Sequence, residues 1–294
     1  ENRLPRVRPI APPLLNRPPA GIEFVWIGHA TLLMRTPKRS ILIDPMFSER
    51  ASPFSFAGPR RKPALPLPIA DLPSIDVVLL SHDHYDHLDA ASIEYLAAER
   101  DPLFLAPLGV GRRLARWGAR RVVEMDWWQY VEWDGVRYHC VPAKHFSGRG
   151  LRDRNRTLWA GWFLKPLYGQ STVLYAGDTG YGPHLREIRD RLGRPDVALL
   201  PIGAYLPRWL MQPVHVDPDE ALQAFRDLGA RHFLPVHWGT FDLAEEPLHA
   251  PAETLQALIR EQELESRVHL LDIGETWTYR GSDAPGGECK LVDA

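Results

Sequence analysis

The sequence is poor in cysteine and has no long apolar run. Its two cysteines, Cys140 and Cys289, match no spaced metal-binding motif, and a disulfide scaffold is excluded. No stretch approaches the eighteen or more consecutive apolar residues of a membrane span, and no apolar signal segment stands at the beginning. We therefore expect a soluble protein or one that contacts a membrane only at its surface. Because the first residue is Glu1 rather than Met, we also expect an upstream segment to have been removed, and the compartment, cytoplasmic or periplasmic, stays open.

The sequence also lacks an excess of charge of either sign. Lys and Arg number 35 against 37 Asp and Glu, for a formal net charge of -2. A near-neutral chain has no bulk attraction to nucleic acid or to anionic lipid, so no nucleic-acid partner is expected and any basic contact must be local. With 294 residues, of which 45% are apolar, the chain can bury a large core as one domain.

Proline marks two irregular segments. Residues 1–20 contain six prolines, which predicts an irregular arm. A second proline-rich segment, Pro53 to Pro73, is much longer than a tight turn requires and is a candidate functional loop. The predicted organisation is an arm over 1–20, one folded domain over 21–280 and a C-terminal tail over 281–294.

Short runs of β-type residues alternate with helical segments. Strands are predicted at Phe24 to Ile27, Ile41 to Ile43, Val77 to Leu80, Val136 to Val141, Val173 to Tyr175, Val197 to Leu200 and His232 to Val236. Helices are predicted from Asp89 to about Arg100, Pro183 to Gly193, Asp217 to Gly229 and Pro251 to about Glu263. Early strands without long crossovers, followed by alternating strands and helices, favour two packed sheets with helices outside. The predicted fold is a four-layer α/β/β/α sandwich.

Three histidines and an aspartate of ligand type stand within six residues, directly after one predicted strand. The run is His82-Asp83-His84-Tyr85-Asp86-His87. Imidazole nitrogens and carboxylate oxygens are the ligands that borderline divalent ions such as zinc prefer, and catalytic sites keep one position open for water. Few structural requirements produce this density of ligands, so the run predicts a catalytic metal loop.

Three further ligand-type residues follow three other predicted strands. They are His145 after Val136 to Val141, Asp178 after Val173 to Tyr175, and His237 after His232 to Val236. One loop cannot fill two coordination spheres, so we expect these residues to converge on the metal loop. Taken singly, each of the three residues is equally compatible with metal binding and with a structural role at the end of a strand. Together they favour a two-metal hydrolase.

In order along the chain, these residues resemble the five motifs of the metallo-β-lactamase superfamily. The motifs are Asp44 in Ile41-Leu42-Ile43-Asp44-Pro45, the His-x-His-x-Asp-His loop, His145, Gly177-Asp178-Thr179 and His237. Motifs outside the metal loop are similar to the branch of N-acyl-phosphatidylethanolamine-hydrolysing phospholipase D. They are Asp126-Trp127-Trp128, Ala176-Gly177-Asp178-Thr179-Gly180-Tyr181, Pro201-Ile202-Gly203-Ala204-Tyr205, Pro207-Arg208-Trp209, His215-Val216-Asp217-Pro218 and His237-Trp238-Gly239-Thr240-Phe241.

The resemblance implies a ligand set and a reaction. It assigns His82, His84 and His145 to one ion, Asp86, His87 and His237 to the other, and Asp178 to both. Two zinc ions are expected, with iron or manganese as alternatives. Water activated between two ions can attack phosphorus without a protein nucleophile. The implied reaction is phospholipase D-type cleavage of N-acyl-phosphatidylethanolamine to an N-acylethanolamine and phosphatidate.

Other residues receive supporting roles from the resemblance. Asp86 and His215 are the candidate catalytic residues, and His215 is expected to donate a proton to the leaving oxygen or to polarise it. Its alternative is a structural residue at a helix start. Asp44 and His29 are expected to lie behind the ligands and orient them, with turn capping as the alternative for Asp44. Animal enzymes of the branch carry Gln where this chain has Val214, so headgroup recognition is expected to differ in detail.

A phospholipid substrate would bring the protein to a bilayer surface. Tyr85 is a candidate donor to the phosphate, with packing as its alternative. In the loop from Pro53 to Pro73, the apolar side chains expected to insert into the bilayer are Phe54, Phe56, Leu65 and Leu67. The basic side chains expected to contact the lipid phosphates are Arg60, Arg61 and Lys62. Because the loop follows Asp44 and precedes the strand that leads into His82, both its ends are expected to lie near the metal-bearing rim. The alternative is a loop packed over the core. Five tryptophans are either packing residues or contacts to acyl chains: Trp127, Trp128, Trp159, Trp162 and Trp209. Three arginines are either solvated residues or contacts to phosphate: Arg152, Arg154 and Arg156.

Two other functions stay open. The same fold and metals could hydrolyse a soluble lactone, a cyclic phosphate or another phosphodiester, RNA being disfavoured by the neutral charge. The other alternative is a binding module that is stabilised by metal and catalyses no reaction. The oligomeric state is also open, a homodimer included.

Overall fold

The computed structural model describes residues 4–167 and 169–281. Within them, the N-terminal arm lies along the body of the protein: Arg8 N donates to Ile273 O at 2.7 Å and Ile10 N donates to Pro66 O at 2.9 Å. The arm is irregular except for one helical turn, α1 (Pro12–Leu15). Residues 1–3, and the predicted tail after Gly281, lie outside the described residues.

The first sheet contains seven strands. They are β1 (Ile22–Gly28), β2 (Thr31–Arg35), β3 (Ser40–Ile43), β4 (Val77–Leu79), β5 (Leu103–Pro107), β6 (Val122–Met125) and β13 (Thr276–Tyr279). Their order in the sheet is β13-β1-β2-β3-β4-β5-β6, with parallel pairing from β3 to β6 and antiparallel pairing elsewhere. Nearly all residues of β1 to β5 are buried on both faces, as expected for a sheet covered on both sides.

The second sheet contains six strands. They are β7 (Tyr130–Trp133), β8 (Val136–Val141), β9 (Gly161–Lys165), β10 (Val173–Tyr175), β11 (Val197–Pro201) and β12 (His232–Val236). Their order is β12-β11-β10-β9-β8-β7, with β10, β11 and β12 parallel. Side chains such as Trp26 and Leu79 of the first sheet share one core with Tyr138 and Trp162 of the second.

Helices cover the outer face of each sheet. They are α2 (Ala90–Glu99), α3 (Gly111–Arg116), α4 (His184–Leu192), α5 (Arg208–Met211), α6 (Pro218–Leu228) and α7 (Ala250–Glu261). Apolar residues of α2 and α3, such as Ile93 and Leu114, pack with Val78 and Phe104 on the outer side of the first sheet. Residues of α4, α6 and α7 belong to the core of the second sheet. The four-layer α/β/β/α sandwich predicted from the sequence is confirmed.

Local end signals predicted the four longer helices well. Asp217 forms a reciprocal capping box with Glu220, and Gly229 ends α6 with a left-handed φ of 63°. The expected cap at the start of α2 differs in its chemistry. Asp89 stands at the N-cap, but its carboxylate accepts from the hydroxyls of Ser48 (2.8 Å) and Ser92 (2.5 Å) rather than from a helix amide. It therefore ties the helix to the loop after β3.

The parallel strands place the metal-type residues at one end of the two sheets. The carboxyl ends of β3 and β4 are adjacent, with Ile43 opposite Leu79. In the second sheet, the ends of β11 and β12 pair in the same way, with Pro201 opposite Val236. The loops that follow these strands therefore meet on one rim. The loop between β3 and β4 must return to the opposite end, where Asp76 N donates to Ser40 O at 3.0 Å, so the expectation that both ends of Pro53 to Pro73 lie at this rim is wrong.

Candidate metal centre

Three imidazole rings converge where the loop after β4 meets the loop after β8. Nε2 of His82 lies 2.8 Å from Nδ1 of His84, and Nε2 of His145 lies 3.2 Å from the same nitrogen. Three nitrogens this close together, with burial of the rings, form a group that could hold one metal ion. The sequence predicted this trio, and the structure brings it together.

A second group forms on the other side of His82. Nε2 of His87 and Nε2 of His237 each lie 3.3 Å from Oδ2 of Asp86. The three residues come from the metal loop and from the end of β12, and they form part of a second group that could hold an ion. The histidine after β12 adopts a left-handed φ of 59°, which turns its ring away from the strand direction toward this group.

Asp178 lies between the two groups. Its Oδ2 is 3.0 Å from His237 Nε2 and 3.1 Å from His87 Nε2, and 3.8 Å from His145 Nε2 and 3.9 Å from His82 Nε2. One carboxylate oxygen thus faces imidazoles of both groups. This position matches the bridging role that the resemblance implied for Asp178.

Electrostatics and unsatisfied atoms both fit bound cations. Burial lowers the pKa of His82 and of His145 well below the ordinary value, which favours the neutral imidazole that coordinates metals. For Asp178, burial alone would raise the pKa, but the neighbouring His237 and His87 hold it well below its usual range. Burial alone would lower the pKa of His87 and of His237, but the neighbouring carboxylates raise it, so these two imidazoles would have to lose a proton to bind an ion. Nε2 of His87 and Oδ1 of Asp178 are buried and have no hydrogen-bond partner among the described residues. A bound ion would satisfy both atoms.

Asp44 orients His87, one of the residues of the second group, through a buried hydrogen bond. Its buried carboxylate accepts hydrogen bonds from His87 Nδ1 (2.7 Å), Tyr175 OH (2.5 Å) and Ser81, whose amide donates at 2.8 Å and whose hydroxyl donates at 2.5 Å. Because His87 Nδ1 is held by the carboxylate, its Nε2 is left to face Asp86 and Asp178. The contact agrees with the orienting role predicted for Asp44 and not with simple turn capping.

His29 approaches the second group from the end of β1. Its Nε2 lies 2.8 Å from Oδ2 of Asp86, and its backbone is fixed by Thr240 Oγ1, which accepts from the His29 amide at 2.8 Å. Burial lowers the pKa of His29 to about 3, so the ring is neutral and can donate to the carboxylate. His29 therefore contacts the same carboxylate oxygen that faces His87 and His237, and it belongs to the four-residue group that could hold an ion. Its orienting role stays a prediction.

His215 is buried beside the centre, with its ring near one histidine of each group. Its ring centroid is 4.9 Å from that of His145 and 5.5 Å from that of His237. Burial lowers the pKa of His215 to about 4, and its Nδ1 has no hydrogen-bond partner among the described residues. The preceding Val214 contributes only its carbonyl oxygen, which lies 3.0 Å from His145 Nδ1.

Several residues that hold the centre in place were not predicted from the sequence. Asp83, between two ligand histidines, is buried and accepts from Gly148 N (2.7 Å) and Arg113 Nε (3.2 Å). Ser81 and Tyr175 supply the donors to Asp44. The available signal was a polar group at the end of an otherwise apolar strand, but the identity of its partner depends on residues far away in sequence.

The structure revises the predicted substrate contacts. The hydroxyl of Tyr85 donates to Arg149 O at 2.9 Å, and its ring packs against Met46 and Phe241, which favours the packing alternative. Arg61 turns inward, where its guanidinium donates to Met46 O at 2.5 Å and lies 5.0 Å from the Phe241 ring centre. The structure therefore does not support a phosphate-facing role for Arg61.

The apolar part of the loop divides in two. Leu67 is buried in the core and Leu65 packs against it, so their expected insertion into lipid is wrong. Phe54 and Phe56, by contrast, are 55% and 79% exposed and lie next to each other with ring centres 5.5 Å apart. Arg60 and Lys62 are also exposed, and they form ion pairs with Glu49 and Asp242.

The tryptophans divide in a similar way. Trp162 is fully buried and donates from Nε1 to Leu80 O at 2.9 Å, while Trp127 packs against Trp159. Trp128 lies under the guanidinium of Arg191 at 4.2 Å. Trp209 in α5 is 81% exposed. Packing is therefore the role of four of these rings, and Trp209 remains available for a ligand.

Comparison with known proteins agrees with this fold and site. A family model described as a beta-lactamase superfamily domain matches residues 39–238. The chain is 43% identical over 256 residues to an uncharacterized protein of Mycobacterium tuberculosis, covering 85% of this chain and 67% of the relative. It is 34% identical over 273 residues to N-acyl-phosphatidylethanolamine-hydrolyzing phospholipase D 1 of Caenorhabditis elegans, covering 88% of this chain and 76% of that protein.

Among solved structures, the chain resembles isothiocyanate hydrolase from Delia radicum gut bacteria. The TM-score is 0.70 at 21% identity, and the match covers 87% of this chain and 99% of that one. The sandwich and its convergent histidines and carboxylates thus define a metal-dependent hydrolase. The chain belongs to the metallo-β-lactamase superfamily, in the branch of N-acyl-phosphatidylethanolamine-hydrolysing phospholipase D.

Proposed function

We propose that this protein is a phospholipase D-type phosphodiesterase that cleaves N-acyl-phosphatidylethanolamine to an N-acylethanolamine and phosphatidate. The observation that carries the proposal is the position of Asp178 Oδ2 between the two ligand groups, which suits a pair of ions acting on one phosphodiester. Similarity to the Caenorhabditis elegans enzyme supports a lipid substrate. Because fold alone does not fix a substrate, the lipid has to be tested directly.

Zinc is our proposal for both ions, since the donors are imidazole nitrogens and carboxylate oxygens. His82, His84 and His145 would hold one ion, Asp86, His87 and His237 the other, and Asp178 both. When bound, such a pair lowers the pKa of water to about 7 and stabilises negative charge on phosphoryl oxygens. Iron and manganese are the alternatives that a metal analysis would distinguish.

The protein's own groups have two tasks in this proposal. Asp44 fixes the tautomer of His87 and thereby keeps Nε2 directed at the centre. His215 is held neutral by burial, so at pH 7 it serves as an N–H donor to a substrate oxygen rather than as a charged acid. This role is polarisation of the phosphoryl or leaving oxygen, one of the two roles considered for this residue from sequence.

Phe54 and Phe56 support the proposed contact with a bilayer. The tip of their loop is held by Arg50, whose guanidinium donates to Ser55 O at 3.1 Å and to Gly58 O at 2.7 Å. Two exposed rings on a braced loop can insert without a large loss of conformational entropy. None of the helices in the described residues could span a bilayer. The contact that we propose is a peripheral one, made by these two rings.

Product analysis tests the proposed function. The purified protein, loaded with zinc, is incubated with N-acyl-phosphatidylethanolamine in mixed micelles and with a short-chain soluble phosphodiester, and the products are identified by mass spectrometry. We expect N-acylethanolamine and phosphatidate in equal amounts, and loss of both on chelation. Cleavage of the soluble diester alone would favour the alternative hydrolase function. No chelator-sensitive hydrolysis of either substrate would favour a binding module.

A further inference from the structure

A group of arginines lies beside the metal centre, outside the loop of Phe54 and Phe56. Arg112, Arg116 and Arg156 line one open groove between α3 and the segment that follows His145. Arg152 is exposed on the same segment. We refer to these four residues, together with the neighbouring Leu151, as the arginine surface.

Nearby carboxylates neutralise the arginine surface only in part. Asp153 forms an ion pair with Arg113 at 2.8 Å and also accepts from Gly150 N at 2.7 Å. Glu124 accepts from Gly111 N at 2.7 Å. Within residues 4–167 and 169–281, no ion pair involves Arg112, Arg116, Arg152 or Arg156. The groove therefore holds four arginines (Arg112, Arg113, Arg116 and Arg156) against two carboxylates, and Arg152 is exposed on the adjoining segment, so an excess of positive charge remains at the surface of a chain whose net charge is -2.

Hydrogen bonds hold the segment that carries this charge against the metal loop. Asp83 of the metal loop accepts from Gly148 N and from Arg113, and Arg113 also pairs with Asp153. The neighbouring Arg154 lies 4.4 Å from the ring centre of Phe146, which is itself 4.5 Å from the ring of His84. The arginine surface thus has a fixed position relative to the centre.

Leu151 distinguishes this surface from a merely solvated charged face. Its side chain is fully exposed, at 105% of the reference area, at the tip of the segment between Gly150 and Arg152. A fully exposed leucine beside the exposed Arg152 suits the boundary between lipid headgroups and acyl chains. The exposed aromatic rings of the described residues (Phe54, Phe56, Tyr130 and Trp209) lie on other segments, which disfavours stacking of nucleic-acid bases at this surface.

We propose that the arginine surface docks the protein on the anionic headgroups of a phospholipid bilayer, with Leu151 inserted among the lipids. The proposal rests on the proposed function in one respect. If the substrate is a membrane lipid, the end of the protein that carries the metal centre has to face the membrane. It adds a preference for anionic bilayers, which Phe54 and Phe56 alone would not supply. Headgroup attraction of this kind weakens as salt is added.

Vesicle binding tests the proposal without any turnover. The zinc-loaded full chain is mixed with vesicles of phosphatidylcholine alone, or of phosphatidylcholine and phosphatidylglycerol in equal amounts, and binding is measured by co-sedimentation. The variant replaces Arg112, Arg116, Arg152 and Arg156 by Ser. Since each basic residue near an anionic surface contributes about fivefold in binding, we expect at least about a hundredfold loss on anionic vesicles. Binding to phosphatidylcholine should be unchanged.

Three comparisons complete the test. A control variant replaces four exposed cations at the opposite end of the sheets by Ser: Arg17, Lys38, Arg194 and Arg280. It should bind anionic vesicles like the wild type. A second variant changes the four surface arginines to Lys, which keeps the charge and should retain binding within about threefold. Leu151→Ser should weaken binding to anionic vesicles by about tenfold or more.

Several results would overturn the proposal. These are wild-type binding by the Ser variant while it keeps its metal and melting temperature, an equal loss in the control variant, and loss of binding in the Lys variant. Tight binding of the wild type to single-stranded RNA with none to anionic vesicles would identify a different partner. Because these vesicles contain no cleavable substrate, a failure here is separate from a failure to hydrolyse N-acyl-phosphatidylethanolamine.

Discussion

The support given by Asp44 to His87 leads to a quantitative prediction for Asp44→Asn. The carboxylate accepts four hydrogen bonds, from His87, Tyr175 and the two donors of Ser81. Asparagine keeps one oxygen and replaces the other by a donor. If its oxygen faces His87 and Tyr175, its NH₂ group faces the amide of Ser81, and one buried donor loses its acceptor. That loss costs about 1–3 kcal/mol of unfolding free energy.

The effect on metal binding is separate from the effect on folding. Loss of a carboxylate partner behind a ligand histidine commonly weakens metal affinity by about 10–100-fold, which corresponds to about 1.4–2.7 kcal/mol. We expect this loss at the ion held by Asp86, His87 and His237. The ion held by His82, His84 and His145 should be affected less, because Asp44 has no direct contact with these rings.

Competition with a chromophoric zinc chelator measures the affinity of each ion, and thermal unfolding of the metal-free protein measures the change in stability. Asp227→Asn is a matched control, because the Asp227 carboxylate also accepts from a tyrosine, Tyr181, and from Arg186 at 3.1 Å, but contacts no metal-type residue. It should lower stability and leave metal affinity unchanged. Wild-type affinity for both ions in Asp44→Asn would refute the reasoning.

Three further predictions concern the metals and the docking loop. The purified protein should contain close to two zinc ions per chain; a content below one that does not rise when zinc is added back would contradict this. His84→Ala and Asp178→Asn should each reduce hydrolysis by more than about a thousandfold, because each disturbs the pair of ions; near-normal turnover by either would make the site structural. Replacing Phe54 and Phe56 by Ser should weaken binding to phosphatidylcholine vesicles by about tenfold or more. Leu14→Ser, which removes a residue of the arm about as exposed as Phe54, should not weaken this binding. Equal losses in the two variants would exclude docking by the loop.

Local chemistry in the sequence was enough to predict the layers and the ligand-type residues. All seven predicted strands are present, because short β-branched runs bounded by turns carry their own signal. Strands that depend on neighbours were missed. β7, for example, pairs only with β8 at the edge of its sheet and is half exposed. β5 is a short, fully buried apolar run, and periodicity alone does not distinguish such a run from a segment of a buried helix.

The sequence by itself determined which residues can coordinate metal, because imidazole and carboxylate groups at strand ends have that chemistry wherever the chain takes them. Only the tertiary structure decided how they are supported and what faces the solvent. Asp44 and Tyr175 are 131 residues apart, and their hydrogen bond exists only because the two sheets pack together. The same packing buries Arg61 against Phe241 and leaves Arg112 and Arg156 unpaired in one groove. The charge of a side chain follows directly from the sequence. The partner of that side chain depends on contacts between distant segments, and no local sequence pattern encodes those contacts.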